Sequence, residues 1–165
     1  MSSLQWLWTP WRRQYVTSVD KHPGCVLCRL RQGEDHGDRL LVHSAELNFI
    51  VMNLYPYTSG HAMIAPHRHV RTLTDATPQE LGEMMTLARR LEEVMREAYK
   101  PDALNLGMNL GRSAGAGIPE HIHLHVVPRW SGDTSFMTVV GGTRVMPEEP
   151  AEAASRLRPF FEGRR

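Results

Sequence analysis

His121-Ile122-His123-Leu124-His125-Val126-Val127 is the stretch from which the rest of the chain is read. In an extended strand successive side chains alternate faces, so imidazoles at i, i+2 and i+4 share one side while Ile122, Leu124 and Val126 pack the other. A single histidine is commonly a polar residue satisfied at the edge of a core. Three on one face are costly to crowd together unless something uses them, as metal ligands or as acid, base and nucleophile toward an anion. Pro128 has no N–H for a ladder and is expected to end the strand.

Working outward, Leu104, Leu106, Met108 and Leu110 alternate as in a strand, followed by the loop Gly111-Arg112-Ser113-Ala114-Gly115-Ala116-Gly117. A loop this rich in glycine can turn backbone amides toward phosphate, with the Ser113 hydroxyl as a further donor. Upstream, Thr77-Pro78-Gln79-Glu80 predicts a helix start: Thr77 can accept from the N3 amide, Pro78 needs no donor at N1, and Glu80 completes a capping box. Leu81, Met84, Leu87, Leu91, Val94, Met95 and Ala98 then recur at helical spacing through Tyr99, and Pro101 stops the run. The methionines at that spacing read as core. Leu40–Val42, Asn48–Asn53 and His61–Ala65 are short apolar strands, the last two joined at hairpin length. A short strand at Phe136–Val140 and a helix around Ala151–Phe161 complete the pattern. The fold class is α+β, a largely antiparallel sheet with one long helix and a C-terminal helix.

The length of 165 residues with 41% hydrophobic content suits a single domain: an irregular opening over 1–39, a core over 40–147 and a helix and tail over 148–165. Nineteen Lys and Arg against eighteen Asp and Glu give no general field for nucleic acid or an acidic membrane, so any anionic partner is gripped locally. Only Lys21 and Lys100 are lysines, and the arginines favour planar contacts with carboxylate or phosphate. No stretch approaches the ~20 apolar residues of a membrane span. Two cysteines cannot build a disulfide framework, and a reducing cytoplasm is the expected location. Their spacing, Cys25-x-x-Cys28, is half a tetrahedral zinc site; thioredoxin-like redox chemistry competes, but that motif opens a helix after a strand, and an irregular setting favours metal. His22, His36 and His43 have no assignable role.

The 121–127 stretch resembles the His-φ-His-φ-His-φ-φ motif of the histidine triad superfamily. Asn53 at a strand end, Gly60-His61 opening the next strand, Pro66-x-x-His69 closing it and the glycine loop extend the likeness. Leu7-Trp8-Thr9-Pro10-Trp11-Arg12 and Pro128-Arg129-Trp130-Ser131-Gly132-Asp133 resemble segments of its bacterial diadenosine tetraphosphate phosphorylases. The resemblance implies a fold of that superfamily and cleavage of dinucleoside polyphosphates through a nucleotidyl-histidine. His123 would be the nucleophile, its Nδ1–H held by the His121 carbonyl, and His125 would donate to the α-phosphate. Asn53 and Asn109 match positions that contact ribose or phosphate, His61 stands behind the triad, and Ser113, Gly115 and Gly117 belong to the phosphate loop. Ala116-Gly117 stands where the fragile histidine triad branch has a phosphate-contacting glutamine. Trp130 stacks an adenine, packs the opening segment or covers a subunit interface. A galactose-1-phosphate uridylyltransferase-like zinc site maps to Cys25, Cys28, His69 and His121, with His67 as the rival to His69, and implies a structural zinc with no organic cofactor. A homodimer is also implied. The alternatives are a hydrolase of dinucleoside polyphosphates or nucleoside phosphoramidates, a metallohydrolase with zinc on all three histidines, and a nucleotide-binding protein without turnover.

Overall fold

Residues 24–34, 37–133 and 147–162 are described by the computed structural model, and run in the order α1 (Val26–Arg31), α2 (Gly37–Leu40), β1 (Leu41–Ser44), β2 (Asn48–Met52), β3 (Ala62–Pro66), α3 (Pro78–Tyr99), β4 (Ala103–Gly107), β5 (Leu124–Arg129) and α4 (Pro150–Leu157). Single 3₁₀ turns occupy Arg112–Ala114 and Arg158–Phe160. The five strands form one antiparallel sheet in the order β1-β2-β3-β5-β4, which makes the chain α+β as expected. Trp6, Trp8, Trp11, His22, His36 and the expected strand Phe136–Val140 lie outside the described residues.

The long helix follows its sequence closely. Glu80 N–H donates to Thr77 Oγ1 at 3.1 Å and Thr77 N–H donates to Glu80 Oε2 at 2.7 Å, closing the capping box with Pro78 at the first helical position. The Arg68 guanidinium grips the same carboxylate and, with the two Thr77 bonds, holds Glu80 down at about 2. Met84, Leu87, Leu91, Val94 and Met95 are buried and join Phe49, Ile50, Ile64 and Val126 in one core, where each side chain contributes on the order of 2 kcal/mol. Gly60, at φ +75, ends the β2–β3 hairpin under Tyr99 and Pro128; a Cβ there would lie 3.1 Å from the Tyr99 ring and 3.2 Å from Pro128.

Three expectations need correction. The opening segment is not wholly irregular: α1 starts directly after Cys25, and α2 takes in Leu40, so β1 begins at Leu41 and not at Leu40. The histidine strand starts at Leu124, because only Leu124, His125 and Val126 pair with β3, while Ile122 N–H donates to the Val70 carbonyl beyond the end of β3. Finally, Pro128 does not stop β5. It stands opposite Leu104 in the β4 pairing, and its carbonyl accepts from Thr58 Oγ1 at 2.8 Å on the other side, where β3 pairing has already ended and no ladder donor is needed.

Candidate active site

His121 sits at 1% exposure in the segment leading into β5. Its Nε2–H donates to the Pro66 carbonyl at 3.0 Å, which leaves the Nδ1 lone pair facing Cys25 Sγ at 3.3 Å and Cys28 Sγ at 3.6 Å. Cys28 Sγ also lies 3.5 Å from His69 Nδ1. One ligand atom from each of Cys25, Cys28, His69 and His121 falls within 4.8 Å of the others, and these four are the group of this kind found among the described residues. Helix geometry brings the cysteines together, since Cys25 caps α1 and Cys28 stands one turn on. Burial, reinforced by Cys25, pushes the Cys28 thiol up to about 11, and burial lowers His121 to about 4. The imidazole is thus neutral with its lone pair presented, and Cys2His2 is a tetrahedral zinc donor set. His67 does not rival His69: its Nε2–H donates to the Ala45 carbonyl at 2.9 Å and its ring stacks on Phe49.

His123, two residues on, is held differently. Its Nδ1–H donates to the His121 carbonyl at 2.9 Å, so the lone pair is on Nε2. Burial lowers its pKa despite that hydrogen bond, and the ring is neutral at pH 7.

At His125 the proton positions follow from one backbone amide. The Tyr57 N–H donates to His61 Nδ1 at 3.0 Å, so His61 carries its proton on Nε2 and donates it to His125 Nδ1 at 2.9 Å. His125 must then bear its own proton on Nε2. Burial and the neighbouring His123 depress it to about 4. The His123 and His125 rings stand nearly perpendicular, 4.8 Å between centroids. A lone pair on one ring and an N–H on the next are thereby set side by side. The three histidines do not converge on one point, as a common metal would require: His121 is turned to the cysteines, and both His123 and His125 have Nδ1 engaged elsewhere.

Of the remaining site residues, His61 is fully buried behind His125. Asn109 and His125 line a cavity of about 460 Å³ that also takes in Tyr57, Asn105 and Arg129. Asn53 is buried; its Oδ1 accepts from Tyr55 N–H at 2.9 Å and closes the turn after β2. Ser113 and Gly115 belong to the exposed turn of the glycine loop, while Gly117 is half-buried beyond it. The amides of Ala114, Gly115 and Ala116 are spent on the Gly111 and Arg112 carbonyls, so these three do not form the open cradle that composition suggests. Trp130 packs edge-on to Tyr99 at 6.5 Å. His43 stacks on Phe161, away from the site. Sequence reasoning missed the Tyr57 amide, which leaves no side-chain signal, and the Arg129–Asp133 pair at 2.6 Å, whose i,i+4 charges around Gly132 were visible.

A HIT domain model matches residues 36–132, and with this geometry the conclusion is plain: the chain belongs to the histidine triad (HIT) family. It is similar to the AP-4-A phosphorylase of Mycobacterium tuberculosis, 39% identical over 153 residues that cover 88% of this chain and 78% of that protein. It also resembles the asymmetrical bis(5'-nucleosyl)-tetraphosphatase of Schizosaccharomyces pombe, 34% identical over 93 residues covering 56% of this chain and 50% of that one. Among solved structures, a Zn-bound histidine triad family protein from Mycobacterium smegmatis superposes with a TM-score of 0.68 at 30% identity, covering 84% of this chain and 93% of that one. No helix among the described residues is long and apolar enough to cross a membrane.

Proposed function

We propose that the protein is a nucleotidyltransferase that cleaves dinucleoside polyphosphates, diadenosine tetraphosphate in the first place, with phosphate as acceptor. The observation that carries this reading is the His123 Nδ1–H bond to the His121 carbonyl, which leaves a neutral, unprotonated Nε2 beside the His125 donor. In the first step His123 Nε2 bonds to the α-phosphorus, the bond from that phosphorus to the bridging oxygen breaks, and the distal nucleotide leaves with the electron pair. His125 Nε2–H donates to an α-phosphate oxygen as charge builds there, a contribution worth ~10² or more in comparable sites. In the second step a phosphate oxygen attacks the same phosphorus and the Nε2–P bond breaks, regenerating a neutral imidazole. The relatives named for AP-4-A phosphorylase and tetraphosphatase activity support the substrate class.

We further propose that Cys25, Cys28, His69 and His121 hold a structural zinc. Four protein ligands would leave no place for an activated water, so an ion held there would brace His121, whose carbonyl in turn holds His123. The free thiols suit a reducing cytoplasm. A homodimer is supported by β4, the last strand of the sheet among the described residues, whose Leu106 is 43% exposed there, with Leu110 beyond it at 45%.

The deciding experiment gives purified protein diadenosine tetraphosphate with and without inorganic phosphate. ADP with ATP, formed only when phosphate is present, supports phosphorolysis; AMP with ATP in its absence assigns the protein to the hydrolases. No cleavage by either route refutes an enzymatic role.

A further inference from the structure

The segment Pro128-Arg129-Trp130-Ser131-Gly132-Asp133 plays no part in the steps above, yet its charged side chains meet at the cavity onto which His125 opens. Arg129 Nε and Nη2 donate to the Asp133 carboxylate at 2.6 and 3.0 Å, and Nη1 donates to Asn105 Oδ1 at 2.9 Å. Trp130 N–H gives Asp133 a further bond at 3.3 Å. The guanidinium is therefore pinned in one orientation, while 43% of the Arg129 side chain remains accessible. Three of the five guanidinium N–H groups are used in these bonds, which leaves two, and the Asn105 Nδ2 group adds donors because only its oxygen faces Arg129.

Their position gives the cluster its meaning. In the β4–β5 register Gly107 faces His125, Asn105 faces Val127 and Ala103 faces Arg129, so Arg129, Asn105 and His125 are in one row on one side of the sheet. Arg129 stands four positions on from His125, about 13 Å of strand at ~3.3 Å per residue. In the proposed reaction His125 marks the α-phosphate, and a short leaving group ends near it. A polyphosphate tail continues, and the row of donors lies along one course it can take. Asp133 cancels the charge of Arg129, so the cluster has little pull on a free anion; it acts on a tail already tethered at the histidines, where effective concentration replaces affinity.

We propose, resting on the reaction given above, that Arg129 and Asn105 form a distal subsite that binds the phosphates of the leaving nucleotide and makes the enzyme selective for long-chain substrates. The test compares kcat/KM for diadenosine tetraphosphate with that for adenosine 5'-phosphoramidate, whose leaving group does not extend past His125, in wild type, Arg129→Gln and Asn105→Asp. Asn105 is exposed among the described residues, so its variant makes no demand on the core, and it adds a negative charge to the cavity. The ratio of tetraphosphate to phosphoramidate efficiency is expected to fall about tenfold in each variant, the loss of one hydrogen bond to a charged group. An equal fall for both substrates, or no change, overturns the proposal and leaves Arg129 a buttress between β4 and β5. If wild type turns over neither substrate, it is the reaction that fails, and binding judges the subsite: adenosine 5'-tetraphosphate held about tenfold more tightly than AMP, with the difference lost in Arg129→Gln, supports it. Equal binding of the two by wild type overturns it.

Discussion

At one end of the histidine row His121 gives its Nε2–H to the Pro66 carbonyl and turns Nδ1 toward two thiols; at the other, His125 accepts a hydrogen bond at Nδ1 from His61, keeps its own proton on Nε2 and lines an open cavity. The side chain is the same and the sequence spacing is regular, but the chemistry is opposite. What differs is the backbone group that each imidazole meets. The Pro66 carbonyl at the end of β3 fixes one tautomer, and the Tyr57 amide just before β3, acting through His61, fixes the other. The flanks of a single strand thus set the proton positions of a site whose residues lie on its neighbour and in the segment leading into it. His123 lies between, tied by its own Nδ1–H to the closed end and by ring contact to the open one.

Breaking the centre of this arrangement has the largest effect. His123→Asn removes the nucleophile and should lower kcat by ~10⁴ or more while nucleotide binding, read by calorimetry, persists. Breaking the open end comes next. His61→Leu deletes the donor that fixes the His125 tautomer, and a loss of about 10² in kcat is expected; His61→Gln, whose amide can still donate to His125 Nδ1, should recover part of it. If His61→Leu equals wild type, the tautomer chain from Tyr57 has no catalytic weight.

The closed end fails in another way. Cys28→Ser should abolish stoichiometric zinc in the purified protein and lower its Tm, with a smaller fall in kcat, about tenfold, because His121 still offers its carbonyl to His123. A variant that loses zinc but none of its stability would separate the metal from the fold. For His125, burial sets the folded pKa near 4, below the ordinary 6.5. The unfolded chain therefore binds the proton first as pH falls from 6.5 toward 4, and stability declines across that window. Urea unfolding at pH 7 and pH 5 should show a shallower decline in His125→Gln than in wild type. The smallest effect lies outside the comparison: Thr77→Ala removes the cap of α3 and should cost about 1 kcal/mol with kcat untouched.

Much of this was legible in the sequence where local rules act alone. Thr77-Pro78-Gln79-Glu80 through Tyr99 marked α3 to the residue, because capping and periodicity are written in contiguous positions. The His123 bond to the His121 carbonyl and the Cys25, Cys28, His69, His121 cluster match what the family resemblance implied. The strand boundaries around the histidines were not legible. Alternation placed all three on one strand face, whereas pairing with β3 stops at Leu124 although β3 itself runs on to Pro66, and Ile122 N–H turns to the Val70 carbonyl instead. Pro128 read as a stop because the end of β3 pairing is a tertiary fact. The six-residue α1 has too few turns for a hydrophobic stripe, and its glycine and proline approach reads as irregular.

The most direct measurement quenches diadenosine tetraphosphate, labelled at the α-phosphorus, during turnover under conditions that spare phosphoramide bonds, and maps the labelled peptide by mass spectrometry. An adenylyl group on His123, absent from His123→Asn, is the expected result. Label on another residue, or rapid turnover with no labelled protein at any quench time, would contradict it.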